Sequence, residues 1–140
     1  MSLTRKRACD FLKGCPFGAI ATVGPNLTPE AALVNIAVTE DLELIFQTLQ
    51  TTRKCLNLRR DPHVAIVTWK ENETLQVEGI ADEPDEFARE PLLDAYFAAR
   101  PDARAHVGWP DLVYVRVKPR WLRLSYYFGT SWRVEELKLG

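Results

Sequence analysis

Gly18-Ala19-Ile20-Ala21-Thr22-Val23-Gly24-Pro25-Asn26 opens the stretch that decides the fold. The first six residues are small or β-branched, Gly24-Pro25-Asn26 is turn chemistry, and Glu30 to Val38 runs apolar again, which predicts a hairpin. A second turn at Thr39-Glu40-Asp41 leads into Leu42-Glu43-Leu44-Ile45-Phe46-Gln47-Thr48. Three consecutive strands with such short connections form an antiparallel meander. Upstream, Ser2 is placed to cap a helix from Leu3 to Lys13, with Ala8, Phe11 and Leu12 at helical spacing and Gly14 as its stop. Downstream, a short helix from Thr52 to Arg60 has threonines at the cap position and ends at Asp61-Pro62. His63 to Trp69 and Thr74 to Ala81 make a further hairpin around Lys70-Glu71-Asn72-Glu73.

Asp85 to Ala99 reads as a helix that Pro91 either kinks or reopens, with Phe87, Leu92, Tyr96 and Ala99 on one face that packs across the sheet. Leu112 to Lys118, Arg120 to Tyr127 and Trp132 to Leu139 are strand-like and broken by Pro119 and Gly129. The result is a mainly β chain of about six to eight antiparallel strands, for which closure into a barrel removes exposed edges. The alternating βαβ spacing of a parallel sheet is absent.

At 140 residues the sequence is expected to form one domain spanning 1–140. Lys plus Arg number 18 against 19 Asp plus Glu, a formal net charge of −1, so no basic excess points to nucleic acid. Every apolar run is interrupted by Arg, Asp, Glu or Pro before it reaches bilayer length, and the N-terminus lacks an apolar signal core. A soluble, cytoplasmic protein with no membrane partner is expected. Cys9, Cys15 and Cys55 are odd in number and have no metal-type spacing, which suits a reducing compartment.

The chemistry concentrates in Phe46-Gln47-Thr48-Leu49-Gln50-Thr51-Thr52-Arg53-Lys54. Hydroxyls and two cations fall at a helix start, where open N–H groups and the helix dipole favour an anion. Arg53 offers a fork of donors and Lys54 a point charge, a set suited to a phosphate monoester. Without a ligand, the same segment is an exposed basic helix start with ordinary Thr caps. Cations in a first turn are disfavoured unless an anion neutralises them. Beside that anion, Phe46, Gln47 and Thr48 offer an aromatic plane, an amide and a hydroxyl to a flat polar ring. Cys55 reads either as a thiol activated by the basic helix or as a small buried apolar residue. His63 and His106 read as structural or surface groups. Trp69, Trp121 and Trp132 read as core or subunit interface.

The strand Leu42 to Thr48, the Thr52-Arg53-Lys54 triplet, the Asn57-Leu58-Arg59-Arg60-Asp61-Pro62 tail and the Gln76-Val77-Glu78-Gly79-Ile80-Ala81 strand resemble the pyridoxamine 5'-phosphate oxidase-like superfamily. The resemblance implies an FMN-binding split β-barrel, antiparallel and Greek-key-like, that is a homodimer with FMN at its interface. It implies that Thr52, Arg53 and Lys54 hold the FMN phosphate, that Phe46, Gln47 and Thr48 line the ring, and that Ala31, Ala32 and Leu33 give backbone contacts. Thr74 and Gln76 share one strand face, and read either as a solvent-facing pair or as contacts to the polar ring atoms. Trp109 sits in a loop that reaches the flavin of the other subunit in such a dimer.

Tyr96-Phe97-Ala98-Ala99-Arg100-Pro101, with Gly108-Trp109 beyond, resembles the helix end of true pyridoxamine 5'-phosphate oxidases, where the Tyr and Arg contact substrate phosphate. Tyr96 and Arg100 are four apart, and read equally as a core-edge Tyr beside a solvated helix-terminal Arg. Arg104 stands where the oxidase has a serine, the Ala31 to Val38 stretch lacks its Arg and Lys, and its C-terminal Arg-x-His is missing. The expected function is an FMN-dependent oxidoreductase acting on a small molecule other than pyridoxamine 5'-phosphate. The alternatives are a deazaflavin (F420)-dependent reductase of the same superfamily, or a non-catalytic flavin- or haem-binding protein.

Overall fold

The computed structural model describes residues 2–140. Helix α1 (Arg5–Lys13) starts two residues later than the sequence suggests. Its cap is Thr4, whose side chain accepts from Arg7 N at 3.1 Å. Ser2 instead makes a β-bridge to Glu136, and Leu3 is buried and donates its N–H to Glu136 O at 2.8 Å. The C-terminal strand therefore takes the two residues that were expected to open the helix.

Strands β1 (Phe17–Val23) and β2 (Pro29–Asn35) form the expected hairpin. The apolar run to Val38 is not one strand: it breaks at Ile36 and resumes as β3 (Ala37–Val38), which pairs with β4 (Leu44–Leu49). Helix α2 (Arg53–Arg60) follows, then β5 (His63–Lys70) and β6 (Glu73–Asp82) as a hairpin. Helix α3 spans Glu86–Ala99, and β7 (Leu112–Phe128) and β8 (Ser131–Lys138) complete the chain.

Hydrogen-bonded neighbours run β2-β1-β5-β6-β7-β4-β3, all antiparallel, with β8 also on β7. The two ends of this path, β2 and β3, are separated in sequence by Ile36 alone. One bent strand thus curls the sheet back on itself. Its β3 part is bonded to β4, whereas beyond the bend β2 is bonded to β1, and the barrel is split between β2 and the β4–α2 segment.

Pro119 was expected to end a strand, yet β7 runs through it. On one edge, β4 pairs as far as Val117 and β8 begins at Trp121, so Pro119 falls where neither partner asks for an N–H. On the other edge, Glu78 faces Trp121 while Gly79 faces Pro119, a bulge that skips Arg120. Gly79 is required there because a Cβ would lie 2.4 Å from Lys118 O.

Inward side chains of the strands, Ile20, Val34, Leu44, Phe46, Val64, Ile66, Leu75, Val77, Leu122 and Leu124 among them, fill the core together with α1. Ile45 alternates to the opposite face and joins a second cluster with Leu92, Tyr96 and Phe97, so α3 packs outside the barrel against β3 and β4. Pro91 neither ends nor restarts α3. Phe87 is exposed and does not belong to the packed face, which is Leu92, Tyr96 and Phe97. Trp69, Trp109 and Trp132 are all exposed rather than core residues of the single chain. Among the described residues, no helix is long and apolar enough to cross a membrane.

Candidate functional site

The split between β2 and α2 holds a cavity of about 390 Å³ lined by Ile20, Thr22, Glu30, Ala31, Ala32, Thr51, Thr52, Arg53 and Lys54. It brings together five of the residues singled out from sequence: Ala31, Ala32, Thr52, Arg53 and Lys54. Inward alternation along β1 and β2 supplies Ile20, Thr22, Glu30 and Ala32, while α2 presents its N-terminus from the opposite wall.

Thr52 occupies the N-cap position but makes no capping bond. Its hydroxyl donates to Leu49 O at 2.8 Å and lies 3.2 Å from the Thr48 hydroxyl, so the first-turn N–H groups lack the acceptor that a capping threonine supplies. Burial pulls the Lys54 ammonium below its ordinary value, a condition that an anion in the cavity would reverse. The Arg53 side chain is 76% exposed, and its Nε stands 3.4 Å from Glu30 Oε1. Part of the charge at this helix start is therefore met by a carboxylate of the chain itself, where sequence alone suggested an external anion.

Next to this cavity, and sharing Ile20 and Ala31 with it, is a shallower groove of about 240 Å³ on the outer face of β1, β5 and β6. Register sets Ala31, Ala21, Ala65 and Glu78 in one row across four strands, and Leu33, Ala19, Val67 and Gln76 in the next. Three alanines in a row make a floor flat enough for a planar ring. Gln76 lies at its edge, and Leu75 and Val77 beside it are buried, as the alternation requires. Leu33 is exposed on this face; Thr74 lies farther along β6, opposite Trp69 and Ser125, and does not line the groove.

The remaining candidates are placed elsewhere. Phe46 is fully buried in the core, so its ring is closed to a ligand. Thr48 is buried and supports Thr52. Gln47 points to the α3 side, where its Nε2 lies 2.7 Å from His106 Nδ1 and its Oε1 is buried with no partner. Trp109 packs at a tilt against that His106, with ring centroids 4.3 Å apart and ring planes 43° apart. Tyr96 is 1% exposed, packed edge-on against Phe97 and Tyr114, and burial pushes its phenol up. This is a packing role. Arg100 is the C-cap of α3 and faces a different cavity, of about 330 Å³, with Nη2 3.5 Å from Ile36 O and a buried, unpartnered Nε. Arg104 lies over the Phe97 ring at 4.7 Å.

Sequence reading missed Glu30, Thr51, Asn57 and the role of His106. Glu30 had one signal, a charge at an inward strand position. Asn57 was visible only as part of the Asn57–Pro62 tail and His106 not at all, since their partners are distant in sequence. Cys55 is buried, and burial pushes its thiol up, in keeping with a small buried apolar residue.

Solved structures share the architecture. A heme binding protein from Mycobacterium smegmatis superposes with TM-score 0.81 at 15% identity over 99% of this chain, which spans only 59% of that protein. General Stress Protein 26 from Bacillus anthracis gives 0.70 at 16% identity, covering 96% and 98% of the two chains. A putative pyridoxamine 5'-phosphate oxidase from Listeria innocua gives 0.67 at 20% identity, covering 91% and 98%. No curated protein sequence matches. A family model does: residues 4–126, nearly all of the barrel and the whole of the split cavity, match pyridoxamine 5'-phosphate oxidase, and the chain belongs to that family.

Proposed function

We propose that this chain is an FMN-binding flavoprotein, homodimeric, that carries out two-electron redox chemistry on a small molecule. The observation that carries the reading is the junction of the split cavity with the alanine-floored groove. A half-buried, unneutralised Lys54, the Arg53 guanidinium and an uncapped helix start stand at one end, and a flat apolar strip with Gln76 at its rim at the other. A phosphate fits the first and a planar heterocycle the second. The bound flavin would supply hydride transfer, and the chain's residues would bind and orient it. Phe17, Leu33, Val67 and Trp69 are exposed on the same outer face, which supports covering by a second copy.

Haem is favoured only by the Mycobacterium smegmatis protein, and neither cavity lining includes a His, Cys, Met or Tyr to serve as axial ligand. The visible spectrum of the purified protein, with mass identification of what denaturation releases, separates FMN from F420 and from haem. Lys54→Ala is expected to weaken FMN at least roughly tenfold, since a charge-assisted contact is worth about 1.5–3 kcal/mol, and riboflavin much less. Unchanged FMN titration would remove the phosphate site from this cavity.

A further inference from the structure

The outer face of the barrel carries a further groove, of about 340 Å³, at the end of β1 and β5 away from Phe17 and Trp69. Its apolar walls include Val23, Leu27, Pro29 and Ala65, and its polar side chains are Thr22, His63 and Glu78. Thr22 is buried and already engaged by Asn57, which leaves His63 and Glu78 to meet a ligand. Among the described residues that line the groove there is no Lys or Arg, in contrast to the split cavity with its Arg53 and Lys54.

His63 is held in one orientation. Its backbone N–H donates to Asp61 Oδ1 at 3.0 Å, and its Nδ1 lies 2.7 Å from the same oxygen. These two bonds keep the Asp61 carboxyl below its ordinary value, so that it remains an acceptor. In the neutral ring the proton therefore sits on Nδ1, and Nε2 presents its lone pair. The side chain is 73% exposed, so that lone pair is open to a ligand. His63 pairs with Ile80 and Ala65 with Glu78, which makes Glu78 the diagonal neighbour of His63 on the outer face. Two acceptors, one of them charged, thus stand at one side of an apolar groove. A ligand that satisfies both brings donors, and a cationic donor meets the carboxylate better than a neutral one.

The opposite wall is an apolar side chain held at a conformational cost. Leu27 has φ 65° and is 83% exposed, and Asn26 before it has φ 63°. Bulky side chains seldom take this left-handed conformation. The turn is nevertheless fixed, by Gly24 N donating to Thr28 O at 2.7 Å and by the Thr28 hydroxyl donating to Pro25 O at 2.9 Å. Leu27 is thereby kept at the rim, where an apolar occupant would cover it.

We infer that this groove binds an apolar amine in its protonated form, an arylalkylammonium whose N–H groups donate to His63 Nε2 and to the Glu78 carboxylate, with Asp61 as the positioning residue of His63. The site uses neither Arg53 nor Lys54, and shares with the alanine-floored groove only Ala21, Ala65 and Glu78. It does not depend on the cofactor reading above.

Calorimetric titrations of tryptamine, its neutral counterpart tryptophol and the anion indole-3-acetate into the wild-type chain, Glu78→Gln and His63→Phe test it. Both substituted side chains are exposed, so the fold is retained, which a thermal melt verifies. The wild type is expected to prefer tryptamine to tryptophol about fivefold, the scale of an exposed ion pair, and to bind indole-3-acetate more weakly than either. In Glu78→Gln that preference is expected to vanish. In His63→Phe tryptamine and tryptophol are both expected to weaken about fivefold, since both donate to Nε2, with their ratio kept. Nitrogen NMR of the His63 ring reads Asp61: Nδ1 protonated and Nε2 bare in the neutral wild-type ring, and mixed tautomers in Asp61→Asn. The inference is overturned by a wild type that binds neither tryptamine nor tryptophol or shows no preference between them, by a preference unmoved in Glu78→Gln, or by tryptophol bound undiminished to His63→Phe. A neutral wild-type ring protonated on Nε2 overturns it as well. Failure of FMN to bind the wild type, with the amine preference intact and dependent on Glu78, removes the flavin reading and sustains this one.

Discussion

Gln47 reaches out of β4 to His106, Nε2 to Nδ1 at 2.7 Å across 59 residues of sequence, and His106 in turn packs at a tilt against Trp109. Through this pair the loop after α3 is fastened to the strand that precedes α2. With Gln47 Oε1 already buried and unpartnered, His106 is the side-chain partner that the amide has. His106→Ala is expected to destabilise the chain by about 1–3 kcal/mol, the cost of a stranded buried amide, and the double variant with Gln47→Met to recover most of it. Urea denaturation of the two variants checks this; equal losses in both would mean that the stack on Trp109, and not the hydrogen bond, holds the loop.

Lys54 gives a pH-dependent test. Burial holds its ammonium below the 10.5 of a free lysine, so the unfolded chain binds the proton more tightly than the folded one. The unfavourable contribution is fully present at neutral pH, and is relieved as pH rises through the depressed folded value towards 10.5. A phosphate in the cavity favours the charged form and reverses the shift. The Lys54 side chain, followed by NMR, is therefore expected to titrate at higher pH with FMN than without. An identical titration in both states would place the phosphate away from Lys54.

Gly79 is expected to tolerate no side chain. Its missing Cβ would lie 2.4 Å from Lys118 O, and backbone on both sides of the bulge leaves little freedom to move. Gly79→Ala should cost about 3 kcal/mol or more, at the upper end of overpacking. A thermal midpoint within a degree or two of the wild type would show that the β6–β7 bulge relaxes.

Cys9, Cys15 and Cys55 are all buried, and burial is the first cause of the upward shift of each thiol. Aromatic disulfide reagents at neutral pH should leave all three unmodified in the folded chain, and titrate three after unfolding. Rapid modification of Cys55 in the native protein would mean that α2 opens at its N-terminus.

Pyridoxamine 5'-phosphate should not be oxidised at a useful rate by the FMN-loaded chain. Tyr96 is enclosed, Arg104 lies over the Phe97 ring, and Arg100 faces the cavity beside Ile36, so within the chain the three side chains do not converge on one point. Displacing a substrate by about an ångström can cost on the order of a hundredfold. Pyridoxal 5'-phosphate formed under air at roughly 1 per second or faster would contradict this placement.

Local chemistry made the hairpins β1–β2 and β5–β6 readable from the sequence, since turn residues and β-branched runs specify them within a few residues of chain. The same holds for α2 and its two cations, because a cap, a basic first turn and Asp61-Pro62 lie within ten residues or so of one another. Pro119 misled for the complementary reason. Whether a proline ends a strand depends on what the neighbouring strands require of its nitrogen, and that is decided where β4 stops and β8 begins.

The sequence by itself determined the strands, the helices and the positive helix start, all properties of contiguous residues. Only the tertiary structure decided that β2 and β3 are one strand bent at Ile36, and that the resulting split brings Glu30, with Asn57 and Thr22 behind it, to Arg53. The physical reason is that a side chain's period along a strand says which face it takes, while which other side chain meets it there is set by closure of the sheet, over separations such as the 27 residues from Glu30 to Asn57.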